Sequence, residues 1–437
     1  MQQPFFELVD HLTAQLCGHE VLLAYFSGES SDFVRLSKSL IRQPGSVTQQ
    51  WLSLDLINGQ RHISGSCTLT GDAEADRSRA GGLLADLRDQ LPAVPEDPYL
   101  LYATEPTNTE QIRPSELPET GAMVDEILAA GQGRDLVGIL AAGGVVSGFA
   151  NSLGQRNWFS THSFHLDWSF YHDRDKAVKT SYAGFAWDSE QFARKVDEAA
   201  APLEMLAREP RTIQPGQYRV YLPPAAIGEI VGCMCWGGFS LKAQRTKTTS
   251  LLKMVEQGWT LSDKVTLREN TAEGLAPNFL SGGFLRPESV TLVEAGQLKG
   301  ALASPRTAKE YGVEPNSNES PESLDMAPGN IEPDTVLERL DTGVYVNRLW
   351  YLNYSDRPAG RLTGMTRFAT FWVENGKIVA PLNVMRFDET IYNMLGKNLI
   401  GLTNQPELLP SAQTYRARST SSARLPGALI DDFTLTL

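Results

Sequence analysis

The chain has 437 residues, with 39 Lys+Arg against 52 Asp+Glu and a formal net charge of −13. Its apolar content of 41 % is that of a folded protein with room for two or three cores, and its acidity argues against a phosphate-binding surface, which needs a basic footprint. Four cysteines (Cys17, Cys67, Cys233, Cys235) and six histidines argue against a disulfide framework and leave few ligands for any metal.

Residues 1–20 read as an amphipathic helix, with Phe5, Leu8, Val9, Leu12 and Leu16 near helical spacing and Gly18 as the stop. The start lacks the basic-then-apolar pattern of a leader, and no apolar run reaches the ~18 residues of a membrane helix. A cytoplasmic, soluble protein is expected, with neither membrane nor nucleic acid as partner. Strands follow in VLLAYFSG, in SDFVRLSKSLIRQ and around Asn58-Gly59, a hairpin signal between two apolar runs. A helix is expected from Asp72 to Leu91, a Pro-rich surface crossing over 92–118, and a second helix over 119–133. The apolar, Gly-rich stretch LVGILAAGGVVSGFANSLG predicts a pair of strands turning near Asn151–Gly154.

The clearest alternation lies over 157–172. Trp158, His162, Phe164, Leu166, Trp168 and Phe170 fall on one face, and Thr161, Ser163, His165, Asp167 and Ser169 on the other. A strand around 177–187 and a helix over 188–208 precede REPRTIQPGQYR, whose prolines mark a domain boundary. A short strand then leads into a helix expected over 225–257. Two related hairpins follow, over 289–302 and 367–384, each with Glu-x-Gly between apolar strands. Between them, EYGVEPNSNESPESLDMAPGNIEP predicts a long surface loop.

Few residues could carry chemistry. His162 and His165 resemble a metal cluster, yet residues three apart on a strand point to opposite faces. Cys233 and Cys235 lie ~200° apart on a helix, so their thiols do not converge, and they read as small buried residues. No G-x-S-x-G elbow opens a helix, and the Gly-Gly pairs are too short for phosphate loops.

The order of segments resembles the TldD/PmbA family, once called modulators of DNA gyrase. The carriers are GFANSLGQRNWFSTHSFHLDWSF with TSYAGFAWD, then SGGFLRPESVTLVEAGQLKGALASPRTAKEYGV, then DTGVYVNRLWYLNYSDRPAGRLTGMTRFATFWVENGKIVAPLNV. Each fragment is weakly specific; their shared order spans about 400 residues. The turn Asp356-Arg357-Pro358-Ala359-Gly360 departs from the family's usual pattern. TldD-type members carry H-E-x-x-x-H on a helix and a late cysteine, which hold zinc while the Glu acts as general base. Aligned on that helix, this chain has Gly232 and Gly237 at the histidine positions and Cys233 at the glutamate. No histidine follows His172 and no cysteine follows Cys235.

The resemblance therefore implies the TldE/PmbA type: a subunit without metal, cofactor or catalytic residue of its own, paired with an HExxxH-bearing TldD-type partner in a cytoplasmic peptidase. Peptide maturation and antitoxin turnover are the implied roles. The expected fold is α+β, a mixed α/β N-terminal domain over 1–209 and a strand-rich C-terminal domain over 210–437 built around a long helix. Glu294, Glu374, Asn375 and Trp236 are the candidate peptide-binding or interface residues. Two other readings stay open: a stand-alone thiol enzyme using Cys233 or Cys235, and a homodimeric peptide-binding scaffold.

Overall fold

The computed structural model describes residues 1–173 and 176–436. In chain order, α1 (Gln2–Thr13) precedes the antiparallel strands β1 (Val21–Ser37), β2 (Leu40–Asn58) and β3 (Arg61–Leu69). Then come α2 (Ala73–Gln90), the short β4 (Thr109–Ile112), α3 (Thr120–Gly131), β5 (Asp135–Asn151), β6 (Arg156–Asp173), β7 (Lys176–Gly184), α4 (Ser189–Ala200) and α5 (Leu203–Leu206). The strands form one sheet in the order β3-β2-β1-β5-β6-β4, with β7 also paired to β6.

Local chemistry explains the turns. Lys38 and Ser39 both adopt left-handed φ in the β1–β2 turn, and Gly59 does so in the β2–β3 turn, where the hairpin was expected. The Asp72 side chain accepts from the Ala75 N–H at 2.9 Å and caps α2. Two expectations change in detail. The two strand pieces before Gln43 belong to the continuous β1 and the start of β2, whereas the strand pair expected to turn near Asn151–Gly154 is present as β5 and β6 on either side of that turn. The crossing over 92–118 contains β4, which pairs parallel with β6 at its edge.

All four long helices of this half cover one face of the sheet. Phe5, Leu8 and Leu12 of α1 and Leu84 and Leu87 of α2 pack on Leu22, Phe26, Leu52 and Leu54. Met123 and Ile127 of α3 and Phe192 and Val196 of α4 pack on Leu140, Phe164, Trp168 and Phe170. The other face is polar, as the alternation over 157–172 implies, yet it is buried. Glu29, Ser31, Ser147, Thr161, Ser163, His165 and Ser169 are each less than 9 % exposed. Burial pushes the His165 pKa down, which leaves the ring neutral at pH 7.

The C-terminal half supplies that cover. It runs through β8 (Gly216–Leu222), α6 (Pro224–Met234), α7 (Leu241–Arg245), α8 (Leu252–Gln257), β9 (Leu267–Glu269), β10 (Val290–Glu294), β11 (Gln297–Leu298), α9 (Pro305–Tyr311), β12 (Ser323–Met326) and α10 (Val336–Leu340). It ends with β13 (Gly343–Asp356), β14 (Arg361–Glu374), β15 (Lys377–Pro381), β16 (Arg386–Thr390), β17 (Leu399–Leu402), β18 (Glu407–Pro410), β19 (Ser422–Leu425) and β20 (Ala428–Leu435). One sheet has the order β11-β10-β9-β12-β19-β18. The other runs β13-β8-β20-β16-β14-β15, and a β13–β14 pairing closes it on itself. The apolar side of α6 (Ala226, Ile227, Ile230, Val231, Met234) sits at the centre of the largest core, against Leu222, Leu324, Val344 and Val346. The fold class is the expected α+β, strand-rich around a central helix.

The helical segment expected over 225–257 is divided into α6, α7 and α8, because Gly237 takes φ +79 and a Cβ on Gly238 would lie 2.2 Å from the Met234 carbonyl oxygen. The expected surface loop over 310–333 contains the buried strand β12, paired with β9 and β19. Its composition hid this because the four residues of β12 satisfy their backbone in a sheet built from distant segments. Both late hairpins are present, with Ala295-Gly296 and Asn375-Gly376 in left-handed conformation at their turns.

The loop between β18 and β19 sends Arg418 onto the polar face. Its guanidinium donates to Ser31 Oγ (3.3 Å), the Gly143 carbonyl (3.1 Å), and the Ser163 carbonyl (2.9 Å) and Oγ (2.8 Å). Those three residues form one ladder row across β1, β5 and β6. Arg418→Ala would strand these acceptors, so a loss of about 2–3 kcal/mol is expected from urea unfolding, with Arg418→Lys recovering part of it.

Candidate functional site at the end of the central helix

The helix α6 begins at Pro224, whose missing N–H costs nothing at a first-turn position. Residues 226, 227, 230, 231 and 234 point inward, which turns Gly228 and Gly232 the other way. Nothing among the described residues lies within 4 Å of a Cβ built on Gly232, and one on Gly228 would touch Leu409 Cδ1 at 3.3 Å. Both glycines line a largely apolar cavity of about 220 Å³ with Val231, Cys235, Leu324, Leu409 and Leu425.

The helix end is tied down by side chains from elsewhere. Tyr354 Oη donates to the Cys233 carbonyl (2.8 Å), Ser320 Oγ to that of Cys235 (3.1 Å), and Thr249 Oγ1 to that of Gly238 (3.1 Å). Arg357 Nη2 donates to the Trp236 carbonyl. The Cys233 and Cys235 carbonyls also accept the backbone N–H groups of Trp236 (3.0 Å) and Gly237 (2.8 Å), so the side chains add to a turn that already closes the helix end, and the other two bonds hold the residues just beyond it. Arg357, from the turn that departs from the family pattern, thus has a structural use. Trp236 is 50 % exposed and meets Tyr354 edge-on at 6.3 Å between ring centroids.

Cys233 is buried, and burial pushes its thiol up to about 11. Burial, with Glu269 and Cys233 nearby, pushes Cys235 up to about 12. At neutral pH both stay thiols, which are poor nucleophiles and poor ligands. The zinc of the HExxxH members does not fit here. Gly232 and Gly237 have no side-chain donor, and among the described residues no three His, Cys, Asp or Glu side chains are grouped to hold a metal ion.

The two hairpin turns stand apart from this helix in their contacts. Glu294 faces Lys299 of its own hairpin at 3.9 Å. Glu374 accepts from Arg211 Nη1 at 2.7 Å and from Trp372 Nε1 at 2.6 Å, and these two donors hold its carboxyl below the usual range. Asn375 is the first residue of its turn and hydrogen-bonds through its N–H to Thr342 Oγ1 at 3.3 Å. Leu292 and Val293 of the first hairpin share the core around α6, whereas the Glu294 and Glu374 carboxylates are engaged at their own turns.

The sequence profile of the PmbA/TldA metallopeptidase C-terminal domain matches residues 215–437, just over half of the chain. The chain belongs to the TldD/PmbA family. Its fold is that of three solved proteins. TldE from Thermococcus kodakarensis superposes with a TM-score of 0.80 at 13 % identity, over 99 % of this chain and 100 % of that one. A proposed modulator of a DNA gyrase from Thermotoga maritima gives 0.76 at 15 %, over 99 % and 100 %. A proposed modulator of DNA gyrase from Bacteroides thetaiotaomicron gives 0.72 at 16 %, over 99 % and 98 %. No curated protein sequence matches the chain. Among the described residues no helix is long and apolar enough to cross a membrane.

Reading of the sequence missed Ser421, which lines the cavity on α6, and Glu29 and Arg418, which line a second cavity together with Ser421. Gly-Glu-Ser-Ser at 28–31 looks like a turn, and nothing local in YRARSTSS marks Arg418 as a docking residue.

Two outcomes follow from the geometry. Gly232→Ala should raise stability by about 0.5–1 kcal/mol, since the site is open and helical, whereas Gly238→Ala should lower it, as thermal unfolding would read. With iodoacetamide at pH 8, exposed Cys17 should be labelled first, half-buried Cys235 slowly because its thiol stays protonated, and buried Cys233 only after denaturation, as peptide mass mapping would show.

Proposed function

We propose that this chain is the non-catalytic, TldE-type subunit of a cytoplasmic zinc peptidase, with the metal and the general base supplied by an HExxxH-bearing partner. The observation that carries the reading is the donor set at the end of α6. The fold keeps the helix, and the three aligned positions hold Gly232, Gly237 and a protonated Cys233. Fold likeness to TldE from Thermococcus kodakarensis supports the same assignment. The substrates are small or unfolded peptides, in maturation or in turnover of a labile antitoxin, with this chain forming part of the wall that encloses them. Residues 1–209 and 210–437 act as its two domains, and Trp236, Glu294, Glu374 and Asn375 are offered as surfaces for peptide or partner.

The raised thiols argue against the stand-alone cysteine enzyme. A homodimeric scaffold would show itself by size without any partner.

Purified alone, the chain should hold well under one zinc per protomer by metal analysis and cleave no unfolded peptide. Co-expression with an HExxxH relative should give a complex that co-elutes and cleaves peptides in a chelator-sensitive way. Chelator-resistant cleavage by the lone chain would overturn the assignment.

A further inference from the structure

A second cavity, of about 290 Å³, lies between the polar face of the first sheet and the segment that carries Arg418. Its floor follows the strand register. Trp51, Ser27 and Ser147 form one row across β2, β1 and β5, and Gln49, Glu29 and Val145 form the next. Arg418 occupies the row after that, on Ser31, Gly143 and Ser163.

Glu29 is 2 % exposed and lines this cavity. Its Oε2 accepts from Gln49 Nε2 (2.8 Å) and from the Arg418 backbone N–H (3.2 Å). Its Oε1 is buried and has no hydrogen-bond partner among the described residues. The other charged groups at the cavity are engaged: the Arg418 guanidinium on the sheet, and Glu322 with Arg286 Nη2 at 2.6 Å and with Asn318. What the lining leaves without a partner is one enclosed carboxylate oxygen; the hydroxyls of Ser27 and Ser147 line the same cavity, and Ser421 Oγ accepts from Ser419 Oγ at 3.1 Å.

A buried carboxylate oxygen without a donor is costly, so the complement is a donor that carries positive charge. A metal ion is not the fit, because the required grouping of ligands is absent among the described residues. Water can fill the space and donate to the oxygen, but it brings no positive charge to match the carboxylate. A primary ammonium has three donors to divide between Glu29 Oε1 and the hydroxyls, and the Trp51 ring beside it can cover a methylene stem.

This cavity adjoins the apolar one on α6. Ser421 lines both, and the successive residues Pro321 and Glu322 line one each. We propose that the two cavities form one site for a peptide, with an apolar side chain over Gly228 and Gly232 and a primary ammonium at Glu29. The ammonium is that of a lysine or of the peptide's own amino terminus. The inference rests on the reading that this chain handles peptides and names their class.

The test is calorimetric binding to the full-length chain alone. The probes are acetyl-Ala-Leu-Lys-Ala-amide, the same peptide with norleucine for lysine, and the norleucine peptide with a free amino terminus. The acetylated norleucine peptide should bind at least about tenfold more weakly than whichever ammonium peptide binds best, which identifies the source of the ammonium. Glu29→Gln keeps an oxygen for Gln49 and the Arg418 N–H. It should remove that preference while leaving the acetylated norleucine peptide unaffected. Gly232→Leu, which fills the neighbouring cavity without touching Glu29, should weaken every leucine peptide and serves if Glu29→Gln fails to fold. Equal binding of all three peptides, no binding by either ammonium peptide, or a preference that survives Glu29→Gln would overturn the proposal. Because the measurement needs neither partner nor catalysis, its failure leaves the subunit assignment standing, and failure of the pairing experiment leaves this result standing.

Discussion

One guanidinium laid across one ladder row ties the two halves of this molecule together, alongside bonds such as Gln155 Nε2 to the Gly283 carbonyl at 2.7 Å and the ion pair of Lys195 with Glu407. Arg418 reaches β1, β5 and β6 at once because neighbouring strands lie ~4.8 Å apart and its N–H groups fan out in a plane. The row can accept it only where a backbone carbonyl is accessible. Gly143 provides one, at φ +139, in a position where a Cβ would lie 2.3 Å from the Ser30 carbonyl oxygen. The same insertion sets the Arg418 N–H against Glu29, so this contact also helps to fix the buried carboxylate. Burial lowers the Arg418 pKa and Glu29 raises it, and the nearby opposite charge lets each be carried out of water.

The division of the first sheet into an apolar and a polar face was legible in the alternation of β6. Periodicity says which residues share a face; it does not say what covers it. Polar residues such as Thr161, Ser163 and Ser169 would suit a solvated face, and here they are buried, Ser163 beneath a chain segment more than two hundred residues away. The reading of β1 broke at Gly28–Ser31 for a related reason. A strand interior with Gly-Glu-Ser-Ser defies local propensity, and it persists because tertiary hydrogen bonds satisfy it. The place where the local pattern fails is the place that carries the polar cavity.

The end of α6 was legible in a different way. The scarcity of histidine and cysteine, and their positions, already removed the donors of a zinc site, and no geometry was needed for that step. What composition could not reveal is that the glycines leave an opening. Gly232 is helical and unconstrained, whereas Gly238 is demanded by the Met234 carbonyl. Two glycines six residues apart in the same sequence thus have unrelated physical causes.

That contrast bears on what the fold retains. If α6 served only to fill the core, its outward face would gain stability from any residue with better helix propensity than glycine. The surrounding residues instead keep about 220 Å³ clear above Gly228 and Gly232, and four side chains from other segments hold the helix end in place. A glycine-bearing helix face held this firmly keeps one side of an apolar cavity fixed in place. Ser421 lines both that cavity and the polar one in which Glu29 has a buried carboxylate oxygen without a partner among the described residues.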